Sequence, residues 1–163
     1  MELRGQILQR PVPSNVSAGD ESATTDTAPA PHKRPTVSGA PSILVVDDDE
    51  CMRELVYLHL SNAGYKVTTA EDAVVALKLL LHRRPHLMVV DVDMPYMNGL
   101  EFVGAVKGDP LYRGIPVLFL TARHDVDEEA QKLGVLACLK KPLLASLLLS
   151  SVAAALPGHR LAR

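Results

Sequence analysis

The sequence contains no tryptophan, and aromatic residues of all kinds make up only 4% of its 163 residues. Apolar residues nevertheless reach 47%, so a chain of this length can build a sizeable core. That core must be aliphatic, because there are too few rings to fill it. The length suits one domain with additional tail segments.

Cysteine and excess positive charge are also scarce. Cys51 and Cys138 are far apart in the sequence and form no CxxC motif, which indicates a reducing, cytoplasmic setting. The formal net charge is −2, so the chain lacks the basic surplus that is typical of nucleic-acid binding. We therefore expect no direct contact with nucleic acid.

Long apolar runs are missing as well. The N-terminus has no continuous apolar segment of the kind that signal peptides carry. The most apolar stretch, residues 143–156, contains three serines and is shorter than the roughly 20 residues that a membrane-spanning helix needs. We expect a cytoplasmic protein without a membrane partner.

Composition divides the chain into three parts. Residues 1–41 hold six of the twelve prolines, among many serines, threonines and alanines. Such a segment cannot bury enough surface to offset the entropy lost on ordering it. We predict a disordered N-terminal tail over 1–41, a folded domain over 42–156 and a short C-terminal tail over 157–163.

Within the folded domain, short apolar runs alternate with segments of helical spacing. The predicted strands are 42–47, 65–69, 86–91, 115–121 and 136–139, and the predicted helices are 49–63, 72–82, 99–107, 126–133 and 143–155. Strands that alternate with helices predict an α/β fold whose parallel sheet is covered on both faces. Runs such as ILVV and LMVV are apolar throughout, which is typical of strands buried on both sides.

Polar residues cluster where these strands end, which is where an open parallel sheet places its functional crevice. The positions are Asp47 and Asp48 after the first strand, Asp91 and Asp93 after the third, Thr121 after the fourth, and Lys140 and Lys141 after the fifth. Crowded carboxylates attract a hard divalent cation such as Mg²⁺. A carboxylate can also be the nucleophile that forms an aspartyl phosphate, with a metal, an ammonium and a hydroxyl stabilising the transferred charge.

Four segments carry a family resemblance: ILVVDDDECMR, VVDVDMPYMNGLEFV, IPVLFLTAR and LKKP. Together they closely resemble the receiver domains of two-component response regulators, over residues 42–156. The resemblance implies a flavodoxin-like, doubly wound, five-stranded parallel sheet built as (βα)5. It also implies a stand-alone regulator, similar to the chemotaxis regulators, that takes a phosphoryl group from a histidine kinase or a phosphotransfer protein in a Mg²⁺-dependent reaction.

The resemblance assigns the acidic residues to a phosphoacceptor and a metal site. Asp91 matches the phosphoacceptor, which also contributes to the metal site. Asp48 matches the acid that binds Mg²⁺ directly, and Asp47 matches its partner, which acts through water. Asp93 stands where the main-chain carbonyl ligates the metal.

The remaining motif residues are assigned to the phosphoryl group and to the loop beside it. Thr121 matches the hydroxyl that binds a phosphoryl oxygen, and Lys141, directly before a proline, matches the lysine that does the same. Lys140 is interpreted as a solvated neighbour. Pro95 and Gly99 match the turn that shapes the loop after the phosphoacceptor.

The sequence departs from the family pattern on the surface expected to transmit the signal. The family usually has Tyr or Phe three residues before the lysine, where its ring responds to phosphorylation, and that position is Cys138 here. The stretch between Thr121 and Gly134 is also shorter than usual, so we expect a trimmed fourth helix. The side chains of Asp93 and Arg123 stand where the family tunes phosphate hydrolysis; an inconsequential surface role is equally open.

The last predicted helix is more apolar than one buried stripe requires. Its large apolar residues are Leu143, Leu144, Leu147, Leu148, Leu149, Val152 and Leu156. We expect an exposed leucine surface, with Leu148 and Leu149 in it, that forms a homodimer or binds a downstream partner. The alternative is a helix that only covers the sheet.

Three functions are open at this point. The leading one is a stand-alone response regulator, not an enzyme, which signals by contact with an unidentified downstream protein. The second is a receiver-like scaffold that ignores phosphate, for which Cys138 is the only support. The third is a phosphatase of the haloacid dehalogenase type, since residues 91–93 resemble its DxD motif, although that family carries its nucleophile on the first strand of the fold.

Overall fold

The computed structural model describes residues 39–158 of the chain. The predicted disordered tail falls almost wholly outside this range, as do residues 159–163 of the predicted C-terminal tail. Along the described segment five strands and five helices alternate, which confirms the predicted (βα)5 order. None of the helices within residues 39–158 is long and apolar enough to cross a bilayer.

The five strands lie parallel in a single sheet with the order β2-β1-β3-β4-β5, so the predicted doubly wound sheet is confirmed. The strands are β1 (Ser42–Val46), β2 (Lys66–Ala70), β3 (Leu87–Asp91), β4 (Val117–Thr121) and β5 (Ala137–Lys140). The helices are α1 (Glu50–Asn62), α2 (Ala73–His82), α3 (Gly99–Gly108), α4 (Asp127–Lys132) and α5 (Ala145–Ala155). As expected, α4 is short, at six residues.

The sheet separates two apolar layers, because successive side chains of a strand point to opposite faces. One layer joins β1, β3 and β4 to α1 and α5, with Leu60 and Val152 fully buried in it. The other joins the same strands to α2, α3 and α4, and it contains Phe102 and Phe119, both fully buried. These are the only two phenylalanines of the chain, so the core is aliphatic apart from them and Tyr65, as predicted.

Polar side chains begin the helices at the same edge of the sheet where the strands end. Asp49 accepts hydrogen bonds from the backbone N–H groups of Cys51 and Met52 at the start of α1. Asn98 and Glu101 form a capping box at the start of α3. These bonds satisfy N–H groups that a helix leaves without partners in its first turn. They also fix the positions of the two loops that follow β1 and β3.

The loop after β3 returns to the strand at Gly99. The N–H of Gly99 donates to the carbonyl oxygen of Val92 at 2.9 Å. A Cβ atom at this position would overlap the carbonyl oxygen of Asp91, so only glycine fits. This close approach places the start of α3 directly beside the last residue of β3.

We predict that Gly99→Ala lowers the free energy of unfolding by about 3 kcal/mol, because the backbone of one segment must move to admit the methyl group. Gly108→Ala at the other end of α3 is the matched control. Nothing lies within 4 Å of a Cβ there, so this change should be neutral or stabilise by up to about 1 kcal/mol. Urea unfolding of the two variants measures the difference, and equal stabilities would contradict the close approach.

The predicted leucine surface on the last helix is wrong in one respect. Leu148 is fully buried, because it lies one helical turn before Val152 on the face of α5 that packs against the sheet. Leu149 is only half-buried against the same layer. The exposed leucines are Leu144, with 65% of its surface accessible, and Leu147, with 44%. Any exposed leucine surface at this helix is therefore formed by Leu147 on α5 and by Leu144, which directly precedes it.

Candidate functional site

Two neighbouring strands bring their terminal acids together. Asp47 directly follows β1, and Asp91 is the last residue of β3, which pairs with β1. Each of Asp47, Asp48 and Asp91 offers one carboxylate oxygen, and these oxygens lie within 4.8 Å of one another. Asp47 and Asp91 are buried, whereas Asp48 is exposed. The structure thus brings together three of the four predicted metal-site acids as a carboxylate cluster.

Lys141 directly follows β5, an edge strand of the sheet, and its side chain reaches this cluster. Its Nζ atom lies 3.1 Å from Asp47 Oδ2 and 3.2 Å from Asp91 Oδ2. The side chain is mostly buried, so both ion pairs form away from bulk water. The predicted choice of Lys141 over Lys140 as the lysine of the site agrees with this geometry.

The cluster contains more carboxylates than ammonium groups. Burial raises the pKa of Asp47 and of Asp91, and the Lys141 ammonium offsets only part of that effect. Burial lowers the pKa of Lys141, but the attraction of the two carboxylates outweighs it and leaves that pKa above its usual value. One ammonium therefore faces two buried acids, with the exposed Asp48 adding a third.

One atom of Asp91 has no partner. Among the described residues, Asp91 Oδ1 is the only buried side-chain oxygen or nitrogen without a hydrogen bond. Buried polar groups in folded proteins are nearly always paired, and an unpaired one calls for a chemical explanation. An oxygen-rich cluster with surplus negative charge and an unpaired acceptor fits a hard divalent cation in its ligand type and in its charge.

Thr121 ends β4 on the other side of β3 and is fully buried. Its hydroxyl oxygen accepts a hydrogen bond of 2.9 Å from the backbone N–H of Arg123. Because the hydroxyl acts as acceptor in that bond, its own hydrogen remains available to donate. Four strands thus deliver acids, a hydroxyl and an ammonium to one edge of the sheet, as the strand-end pattern predicts.

A family model, the response regulator receiver domain, matches residues 43–153. The chain belongs to this family. The predicted resemblance is thereby confirmed over almost the whole of the described segment, together with the fold class that it implies.

Curated relatives of the receiver domain agree. Response regulator MprA of Mycobacterium sp. (strain KMS) is 42% identical over 118 residues, which cover 70% of this chain and 50% of that protein. MprA of Mycobacterium tuberculosis (strain H37Rv) is 40% identical over 116 residues, with the same coverage of both chains. The chain spans about half the length of the curated relatives it matches.

Solved structures share the fold of this receiver domain. The chemotaxis response regulator CheY4 of Vibrio cholerae has a TM-score of 0.68 and 34% sequence identity, covering 72% of this chain and 99% of that one. A response regulator receiver protein from Pseudomonas putida has a TM-score of 0.66 and 30% identity, covering 72% of this chain and 99% of that one. Nearly complete coverage of those chains indicates that the domain has all elements of the fold.

Three charged side chains in the loops after β3 and β4 form ion pairs with one another. The Arg123 guanidinium holds Asp125 through two hydrogen bonds of 2.7 and 2.9 Å and reaches Asp93 at 4.0 Å. Asp93 is half-exposed, and its side chain points to Arg123. The use of its main-chain carbonyl as a metal ligand stays a prediction.

Sequence reasoning missed two contacts of the site. Arg53, on α1, donates from Nη1 to the carbonyl oxygen of Asp47 at 2.8 Å and so fixes the backbone at the end of β1. Lys140, interpreted as a solvated neighbour, instead donates to the carbonyl oxygen of Arg123 at 2.8 Å and to Asp127 at 3.2 Å. Arg53 reaches back six residues across the loop before α1, and Lys140 contacts residues 13 and 17 positions earlier in the chain. Neither contact follows a short-range pattern such as the i, i+4 pairs of a helix.

The position of the usual aromatic ring is occupied by a half-buried thiol. Cys138 lies on β5 and contacts the layer beneath α4. Burial raises the pKa of this thiol, and the nearby Asp127 carboxylate raises it further. Both effects favour the neutral thiol, so Cys138 offers a small side chain where the family usually has a ring.

Proposed function

We propose that this receiver domain is a phosphoacceptor in which Asp91 takes up the phosphoryl group in a Mg²⁺-dependent reaction. The observation that carries the proposal is the unpaired, buried Asp91 Oδ1 beside the Lys141 ammonium and two further acids. An unpaired buried acceptor costs stability, so its retention at this position supports a chemical role. The raised pKa of Asp91 further supports a functional site.

In the proposed transfer, a carboxylate oxygen of Asp91 attacks the phosphorus of a phosphohistidine on a histidine kinase or a phosphotransfer protein. An O–P bond forms, the N–P bond breaks, and the imidazole leaves with the electron pair, which gives an acyl phosphate. The Lys141 ammonium would bind one oxygen of the transferred group. The Thr121 hydroxyl, whose hydrogen is available, would donate to another.

The acids offer oxygen ligands of the kind that Mg²⁺ prefers. Asp48 and Asp91 would bind the ion directly, Asp47 through a water, and Asp93 through its main-chain carbonyl. The ion would neutralise charge on the phosphoryl oxygens during transfer. Arg53 would act on the same site only indirectly, by holding the carbonyl group of Asp47 in place.

Phosphorylation by a small-molecule donor tests the proposal directly. Incubation with acetyl phosphate and Mg²⁺ should add the mass of one phosphoryl group to the intact protein, and EDTA should prevent it. Borohydride reduction of the acyl phosphate, followed by peptide mass spectrometry, should locate the modification at Asp91. No change in mass, or a modification at Asp48 or Asp93, would show that the assignment is wrong.

We predict that Asp48→Ala weakens Mg²⁺ binding at least about tenfold, since even indirect partners of a bound metal are typically worth that much. Glu50→Gln is the matched control, because Glu50 is an exposed acid of the first turn of α1 outside the cluster. Isothermal titration calorimetry measures both affinities. Equal affinities for the Asp48 variant and the wild type would remove Asp48 from the metal site.

The output of the whole protein is a further part of the proposal, because the curated relatives extend well beyond the matched region. We propose that the signal passes by contact with another protein, or by dimerisation through Leu147 of α5 and Leu144 directly before it. A phosphate-independent scaffold would fail the acetyl phosphate experiment. A phosphatase of the haloacid dehalogenase type would release phosphate catalytically from an added phosphomonoester, which a receiver would not.

A further inference from the structure

The carboxylate cluster and Lys141 together form what is called the acid pocket below. A continuous chain of hydrogen bonds begins beside this pocket, at Thr121. The N–H of Arg123 donates to the Thr121 hydroxyl at 2.9 Å, and the carbonyl oxygen of the same Arg123 accepts from Lys140 Nζ at 2.8 Å. Thr121 and Lys140 are also direct partners in the β4–β5 ladder. The backbone N–H of Arg123 is therefore bonded to Thr121 at the pocket, and its backbone carbonyl oxygen is bonded to Lys140 of β5.

Lys140 extends this chain to α4. Its ammonium lies 3.2 Å from Asp127 Oδ1, and Asp127 is the first residue of α4. The same Asp127 carboxylate lies near the thiol of Cys138. The hydrogen-bond chain thus ends at the start of α4, beside Cys138, where the family usually has an aromatic ring.

The Lys140–Asp127 pair is poorly suited to a purely structural role. The two side chains are 35% and 63% exposed, and ion pairs of this kind contribute little to stability because water screens them. Removing the Lys140 ammonium should therefore leave the fold intact while it breaks the link between Arg123 and α4.

We propose that the chain Thr121–Arg123–Lys140–Asp127 couples the state of the acid pocket to the surface formed by α4 and β5, in place of a moving aromatic ring. The inference rests on the proposed function, in which the Thr121 hydroxyl turns to a phosphoryl group on Asp91. That movement displaces the acceptor of the Arg123 N–H. The Arg123 carbonyl, the Lys140 ammonium and the first turn of α4 then move with it.

Lys140→Met tests this coupling, because methionine keeps the aliphatic stem and removes the ammonium. The probe is beryllofluoride with Mg²⁺, added to the full-length ¹⁵N-labelled protein. In the wild type, the amide of Val92 and the amides of the first turn of α4 should both shift. In Lys140→Met the Val92 shift should persist with unchanged probe affinity, while the α4 shifts should fall below about half of their wild-type size.

Lys132→Met is the matched control. Lys132 is an exposed lysine on α4 whose side chain makes no hydrogen bond or ion pair within residues 39–158, so its variant should respond as the wild type does. Thermal unfolding midpoints of both variants should stay close to that of the wild type. A full α4 response in Lys140→Met, or an equal loss in Lys132→Met, would overturn the coupling.

A second arm needs no phosphate analogue and separates this inference from the proposed function. Thr121→Val removes the acceptor of the Arg123 N–H, and its effect on the α4 amides is compared in the wild-type and Lys140→Met backgrounds. Propagation to α4 that depends on Lys140 supports the coupling even if beryllofluoride fails to bind, a result that would refute the proposed function alone. Propagation of equal size in both backgrounds would refute the coupling.

Discussion

Asp91→Asn should reduce phosphoryl uptake from acetyl phosphate to below about one thousandth of the wild-type rate, since an amide oxygen cannot replace a carboxylate as nucleophile. The amide has nearly the size of the carboxylate, so the packing at the end of β3 is preserved. Intact-mass spectrometry over a time course measures the rate. The substitution removes the proposed acceptor and little else.

The fold of this variant provides the control. Lys141 keeps Asp47 as an ion-pair partner when Asp91 loses its charge, so no buried charge is left without compensation. Since the Asp91 charge helps to raise the pKa of Asp47, its removal also relieves repulsion between the two acids. We expect a thermal midpoint within about 5 °C of the wild type. A folded Asp91→Asn variant that is phosphorylated at the wild-type rate would end the assignment of Asp91.

Leu148→Glu should unfold the domain or cost at least about 4 kcal/mol of stability, because a carboxylate would replace a fully buried side chain in the layer between α5 and the sheet. None of the buried polar residues within the described part of the chain is basic, so the new charge would find no buried partner. Far-ultraviolet circular dichroism with urea titration measures the loss.

Leu147→Glu is the matched change on the neighbouring residue of the same helix. Because Leu147 is 44% exposed, its replacement should cost no more than about 1 kcal/mol. If α5 forms a homodimer, sedimentation velocity with beryllofluoride should show a dimer for the wild type and a monomer for this variant. Similar stabilities of the two glutamate variants would contradict the orientation of α5.

Sequence reasoning predicted the fold well for a geometric reason. The three central strands are almost continuous apolar runs, and every observed boundary lies within two residues of the predicted one. In a parallel sheet all strands end at the same edge, so the order along the chain already groups Asp47, Asp91, Thr121 and Lys141. No distance is needed for that conclusion.

The errors arose where a rotation or a contact between distant elements decides the outcome. Helix α5 is apolar around most of its circumference, so the pattern does not show which leucines face the sheet, and the expected exposure of Leu148 is wrong. Lys140 and Lys141 are adjacent and chemically identical. The proline after Lys141 distinguishes that lysine in the family pattern, but only the β4–β5 register and the position of α4 bring Lys140 to Arg123 and Asp127.

The Lys141–Asp47 ion pair joins residues that are 94 positions apart. During synthesis the domain therefore acquires its acids first and its ammonium last, after all five strands and before α5. Until Lys141 arrives, the ends of β1 and β3 present carboxylates that lack their counter-charge and resist burial. A chain that ends before Lys141 would therefore lack the counter-charge of the pocket, so the pocket can be completed only after the whole sheet has been synthesised.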